Sequence, residues 1–291
     1  MKRRIGPLWG LAAVLLIAAG LLAASHLLPE TNWASPTLSR SGTAVPLPIL
    51  MYHSVLRDPS RSGDYVVTPD LLEQDLAFLA SHGYTTLFPS ELAQAVLHGE
   101  ALPEKPVILS FDDGYQNTLT YVLPLLERYD MKAVASVVGS YSEQYSLSPD
   151  PNPSYAYLSW EGICALADSG RFEIANHSYD MHRQFPRRGA MRIPGEDPVA
   201  YCAALRKDAA ATQSLLTRHC GILPTTYAYP YGHISPESVP VLRELGFTVL
   251  LTCESRINQI DGSPESLLSL GRFNRPAGVA TDEMMARIGI G

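Results

Sequence analysis

The chain has 291 residues, 46% of them hydrophobic, and a formal net charge of −7. That composition is enough to bury a full core and excludes a disordered or low-complexity chain. No run of Lys or Arg appears after Arg4, so no nucleic-acid partner is expected.

Lys2, Arg3 and Arg4 precede an almost uncharged apolar run from Leu8 to about Leu28. A basic start before such a run directs export, and the chain that follows lies outside the cytoplasm. Residues 1–28 are therefore expected to be a signal peptide or an N-terminal membrane anchor. The run is long enough to span a bilayer, and Ala23 and Ser25 offer only a loose cleavage site. Residues 29–46, rich in Pro, Ser and Thr, read as a flexible tether.

From residue 47 onward, short apolar runs alternate with amphipathic stretches. Strands are predicted at Leu47–Ser54, Tyr84–Phe88, Pro106–Phe111, Lys132–Val138, Phe172–Asn176, Thr225–Tyr229, Phe247–Thr252 and Leu268–Phe273. Thr68 is placed to cap a helix starting at Pro69, with Leu72, Leu76 and Leu79 on one face. Further helices are predicted at Ser90–His98, Tyr121–Tyr129, Ser159–Ala167, Pro198–His219 and Pro236–Leu245. This alternation implies parallel pairing, and the repeat number predicts an α/β fold, a single distorted (β/α) barrel of about seven strands. Gly139–Tyr157, with four Tyr, and Phe185–Asp197 read as long loops. Cys164, Cys202, Cys220 and Cys253 form no CxxC pair, which disfavours a thiolate zinc site. They are expected either to form one or two disulfides or to be small buried side chains.

Chemistry concentrates at two predicted strand ends. Val107–Phe111 delivers Asp112 and Asp113 before Gly114. Neighbouring carboxylates resist joint ionisation unless a cation lies beside them, although an Asp-Gly turn would also explain the pattern. Phe172–Asn176 runs into His177 and His182, five residues apart and so not stacked on one helix face. Two histidines and a carboxylate form the set that holds a divalent ion with open positions, with zinc the default.

The Phe-Asp-Asp-Gly motif at 111–114 and the His-Ser…His motif at 177–182 resemble the first two motifs of the polysaccharide deacetylases, carbohydrate esterase family 4, with NodB-like domains. Pro48–His53, Tyr157–Trp160 and Ala228–Gly232 extend the resemblance from Pro48 to the C-terminus. The histidine spacing is similar to the poly-N-acetylglucosamine branch. The resemblance implies a catalytic domain over 47–291 that removes N-acetyl groups from an N-acetylglucosamine-containing exopolysaccharide or cell-wall glycan. It implies Asp113, His177 and His182 as ligands of a divalent ion, most simply Zn2+, and Asp112 as general base.

The family's late histidine, its usual general acid, is missing, since none follows His233. The permuted branch points instead to His53, with His233 as the fallback. The family's Arg-x-Pro-Tyr arginine is Ala228 here; Arg272 is a replacement for it or an ordinary surface residue. Tyr231 is expected to offer its backbone N–H to the oxyanion. Tyr52, Tyr115, Trp160 and Tyr231 are candidates for stacking on sugar rings or for the core. The expected partners are the polysaccharide and, through the N-terminal segment, the membrane; the chain is expected to act as a monomer. A catalytically inactive carbohydrate-binding member of the same fold is the alternative. A carboxylate-pair glycosidase is disfavoured because adjacent Asp112 and Asp113 cannot flank a glycosidic bond.

Overall fold

A computed structural model describes residues 44–290; the predicted export segment lies outside the described residues, as does most of the tether. Strands β1 (Val45–Leu47), β2 (Ile49–Tyr52), β3 (Ser54–Val55) and β4 (Val66–Val67) precede helix α1 (Pro69–Ser81). They are followed by β5 (Thr85–Thr86), α2 (Pro89–His98), β6 (Pro106–Phe111), α3 (Leu123–Tyr129) and β7 (Ala133–Val137). Next come α4 (Gly139–Leu147), α5 (Trp160–Asp168), β8 (Phe172–Asn176), α6 (Pro198–Cys220) and β9 (Thr226–Ala228). The remainder is α7 (Ser238–Glu244), β10 (Val249–Leu251), β11 (Asn258–Ile260), β12 (Phe273–Asn274) and α8 (Thr281–Arg287).

Seven parallel strands run in the order β10-β9-β8-β7-β6-β2-β12, and β5 joins beside β6. The expected α/β architecture is present as an open, distorted barrel. Its two ends meet at a parallel bridge between Leu251 and Leu270, where the Thr252 and Leu270 amides each donate at 2.8 Å. Every residue of β6 is buried, as parallel strands covered on both faces require. Thr68 Oγ1 accepts the Leu71 amide at 3.2 Å, capping α1, whose Leu72, Leu76 and Leu79 are fully buried.

Four differences from the predicted elements have identifiable causes. Val45 and Pro46, assigned to the tether, belong to β1, which pairs antiparallel with β11. Gly139–Leu147, read as loop, is helix α4. It has almost no apolar face, and it forms where Gly139 packs so closely on Thr212 that a Cβ would stand 2.5 Å from Oγ1. The last strand of the sheet is shifted to Phe273–Asn274, with Leu270 making the seam. Helix α8 was not predicted; its buried residues are Thr281, Met284 and Met285.

A buried ionic network ties the C-terminal part of the fold to α1. Arg275 Nε and Nη2 donate to Asp75 at 2.7 and 2.9 Å, and the Tyr52 and Thr281 hydroxyls donate to the same carboxylate at 2.9 and 2.6 Å. Among the described residues, no helix is long and apolar enough to cross a membrane.

One disulfide is present, Cys164–Cys220, joining α5 to the end of α6; Cys202 and Cys253 are free and half-buried. The bridge closes a chain separation of 56 residues. Loop-closure entropy at that length is worth about 4 kcal/mol, and measured effects run at about 2–4 kcal/mol. A Cys164→Ser/Cys220→Ser variant should therefore unfold at clearly lower denaturant concentration than the oxidised chain. An unchanged midpoint would show that the bridge does not stabilise this fold.

Candidate active site and metal centre

The C-terminal ends of β2, β6 and β8, the turn after β9 and the residue before β12 bring the predicted site residues together. After β6, Asp113 and Gly114 both have a φ of 72°, in the left-handed region. The resulting reversal suits Asp, whose short polar side chain tolerates this region, and Gly, which has no Cβ. Asp112 continues the ladder, its amide donating to the Tyr52 carbonyl at 3.0 Å.

His177 extends β8, with its amide bonded to Val137 at 3.0 Å. Its Nδ1 donates to the Ala228 carbonyl at 2.7 Å, which leaves the Nε2 lone pair free. Burial lowers the His177 pKa to about 4 against the opposing pull of Asp112, so the ring is neutral, as a ligand must be. Ser178, at φ 74°, turns the chain back and brings His182 alongside. The Tyr141 and Tyr231 hydroxyls lie 3.4 and 3.5 Å from His182 Nδ1. In the tautomer protonated at Nδ1 they accept that proton, and Nε2 again faces inward.

One ligand atom each from Asp113, His177 and His182 lies within 4.8 Å of the other two. Asp113 Oδ1 is 3.1 Å from His182 Nε2 and 3.6 Å from His177 Nε2, yet it is buried without a partner of hydrogen-bond geometry. Burial raises the Asp113 carboxyl, but the imidazoles of His182, His53 and His177 together outweigh it and hold the pKa below the ordinary carboxylate value. An orphaned carboxylate oxygen facing two imidazole nitrogens fits a divalent first-row metal ion, and the N2O donor set suits zinc.

Arg272 is fully buried and is not a surface residue. Its Nη1 donates to Asp112 Oδ1 and to Ser110 Oγ, each at 2.7 Å, and its Nε donates to the Thr252 carbonyl at 2.8 Å. Asp112 Oδ2 remains turned towards His177 Nε2, 4.0 Å away. Burial alone would raise the Asp112 pKa; Arg272, followed by His177, overrides it and keeps the carboxyl ionised well below its usual range.

His53, at the end of β2, is half-buried, and its Nδ1 is buried without a partner. Its ring stands edge-on to Tyr65 at 4.9 Å, and it lies close enough to act electrostatically on both Asp112 and Asp113. By contrast, the charged neighbour of His233 is Arg188, and neither aspartate acts on it. Tyr231 occupies the left-handed region at φ 59°, and its ring leans on His182 at 4.7 Å.

Of the four aromatic residues considered for sugar stacking, Tyr52 and Trp160 are core, at 1% and 5% exposure, while Tyr115 and Tyr231 are half-buried at the site. Sequence reasoning missed Tyr141. It lies on α4, and the tyrosine density of 139–157 was the available signal. Tyr157 stacks on Tyr115 at 4.9 Å and meets Tyr141 at 4.5 Å, which completes an aromatic wall beside His182.

The fold agrees with that of known proteins. A curated poly-beta-1,6-N-acetyl-D-glucosamine N-deacetylase from Escherichia coli K12 is 25% identical over 242 residues, or 76% of this chain and 36% of that protein. The chain thus spans about a third of that relative's length. IcaB from Ammonifex degensii has the same fold, with a TM-score of 0.69 at 24% identity over 84% of this chain and 97% of that one. A de-N-acetylase from Aggregatibacter actinomycetemcomitans also gives 0.69, at 22% identity over 83% and 99%. The polysaccharide deacetylase family model matches residues 99–250, just over half of the chain and the stretch that holds Asp112, Asp113, His177, His182 and Tyr231. The chain belongs to the polysaccharide deacetylase family.

Proposed function

We propose that the chain is a metal-dependent N-deacetylase acting outside the cytoplasm on a polymer of N-acetylglucosamine. The observation that carries this reading is the meeting of Asp113, His177 and His182 beside a buried, arginine-held Asp112. Asp113, His177 and His182 would hold a divalent ion, most simply Zn2+, which would supply Lewis acidity towards the acetamide carbonyl and lower the pKa of the attacking water. Asp112 takes the water's proton at Oδ2, since Oδ1 is engaged by Arg272. Arg272 is a positioning residue that keeps Asp112 ionised and in one orientation. The Tyr231 backbone N–H donates to the oxygen on which negative charge develops. His53 protonates the departing amine, because an amide nitrogen leaves poorly as an anion. The products are acetate and a free amino sugar.

The named activity of the Escherichia coli relative supports a β-1,6-linked polymer as substrate, and the basic-apolar start at residues 2–28 supports export, as an anchored or a secreted protein. Acetate release from β-1,6- and β-1,4-linked N-acetylglucosamine oligomers tests the proposal, measured before and after chelation and again after Zn2+ is returned. Activity should vanish on chelation, return with the metal and favour the β-1,6 series. Glycan binding with no acetate release under any condition would instead establish the inactive, carbohydrate-binding alternative.

The acid role has its own test. His53→Ala should slow amide cleavage by about 10²–10⁴-fold. Cleavage of an activated aryl acetate, whose leaving group needs no proton, should change only a few-fold. Equal losses on both substrates would remove His53 from this role.

A further inference from the structure

The two histidines of the proposed centre are held differently. His177 is part of the sheet and is tied to Ala228, whereas His182 stands at the end of a reversal with only the two phenols near its outer nitrogen. Its side chain is 15% exposed, against 2% for His177. The direction of His182 therefore depends on the backbone between the ligands.

Helix α6 grips that backbone. Asp208 accepts the Tyr179 amide at Oδ1 and the Asp180 amide at Oδ2, both at 2.8 Å. One residue further along α6, the Ala209 carbonyl accepts from Asn176 Nδ2 at 2.9 Å, and Asn176 Oδ1 accepts the Ser178 amide at 2.9 Å. From the other side, the Gly139 and Ser140 amides donate to the Ser178 and Tyr179 carbonyls at 3.0 and 2.9 Å. Each amide from 178 to 180 thus has a partner, and the left-handed Ser178 is enforced by its surroundings. A carboxylate is the side chain suited to two converging N–H groups, since both of its oxygens accept and neither donates.

We infer that Asp208 is a positioning residue for the metal centre, a strap that sets where His182 meets Asp113 and His177. This inference rests on the metal-dependent reading above. Supports of this kind behind a metal ligand typically contribute about 10–100-fold to metal affinity. Asp208→Ala removes both acceptors. Asp208→Asn keeps one acceptor and sets an NH2 group against the second amide, so it should give a smaller loss.

The test is a titration of the metal-free full chain with Co2+, following the visible d–d bands as a report on ligand geometry. Gln213→Ala is the structural control. Gln213 lies on the same helix, where its Nε2 donates to the Pro224 and Leu245 carbonyls at 3.3 and 3.1 Å, away from the histidine loop. Asp208→Ala should weaken Co2+ binding by about 10–100-fold and alter the bands. Gln213→Ala should lower thermal stability and leave both Co2+ readouts unchanged. Wild-type affinity and bands in Asp208→Ala, or an equal loss in Gln213→Ala, would overturn the strap alone. A wild-type chain that takes up no Co2+ would overturn the metal centre and the strap together.

Discussion

Asp112→Asn is expected to lower acetate release by about 10²–10⁴-fold, the range for loss of a general base, with metal content unchanged. The amide matches the carboxylate in shape, and its oxygen can still accept from Arg272 Nη1, which lies 2.7 Å from Oδ1 in the native chain. It cannot take a proton from water. The variant also neutralises one member of a buried ion pair, which costs about 3–5 kcal/mol when a partner is removed outright and less when a hydrogen bond survives. Turnover is therefore compared well below the unfolding temperature, with metal measured on the same sample. Near-native turnover would exclude Asp112 as the base. The same pair sets a pH dependence of stability. The native Asp112 pKa is held below its unfolded value of about 3.9, so its contribution is complete above that pH. It is lost as the pH falls towards the depressed native value.

The neighbouring carboxylate should behave differently. Asp113→Ala removes the only oxygen of the N2O set, leaving two imidazoles as ligands. Ligand number is a main determinant of whether such a site holds its ion. Metal and activity should therefore disappear together, the purified variant retaining less than roughly a tenth of an equivalent of metal. Activity should not return when Zn2+ is supplied at the concentration that restores the chelated native protein. A variant that keeps a full equivalent of metal but is inactive would assign Asp113 to proton transfer and reverse the two roles. Asp112 and Asp113 are adjacent, so backbone disturbance is similar for both substitutions and the contrast in metal content carries the distinction.

The barrel strands were legible because parallel strands covered on both faces appear as short, mostly apolar runs bounded by turn residues. Pro106–Phe111 and Phe172–Asn176 were predicted to the residue. The convergence of Asp113, His177 and His182 was legible for a related reason, since residues just past the C-terminal ends of parallel strands collect at one end of the barrel. Helix α4 was not legible, because a sequence such as Gly139–Leu147 has no apolar period and its helicity comes from tertiary contacts. The β1–β11 and β3–β4 pairs are two or three residues long, below the length at which alternation can be counted. The burial of Arg272 depends on Asp112, 160 positions away in the chain. Asp208 looked like any charged residue on a long helix, and its two amide partners exist only once the histidine loop has formed.

The position of the two buried arginines also bears on how the molecule is made. Asp75 and Asp112 are synthesised well before Arg275 and Arg272, their counter-charges, which follow them by 200 and 160 positions. A nascent chain that collapsed before these arginines emerged would enclose two uncompensated carboxylates, at a penalty of several kcal/mol for each ion. The native arrangement is therefore disfavoured until Arg272 and Arg275 have emerged, and the Leu251–Leu270 seam is closed by the same segment. A fragment ending before Leu270 lacks both the seam and the counter-charges, which makes it a target for proteolysis rather than a partly working protein.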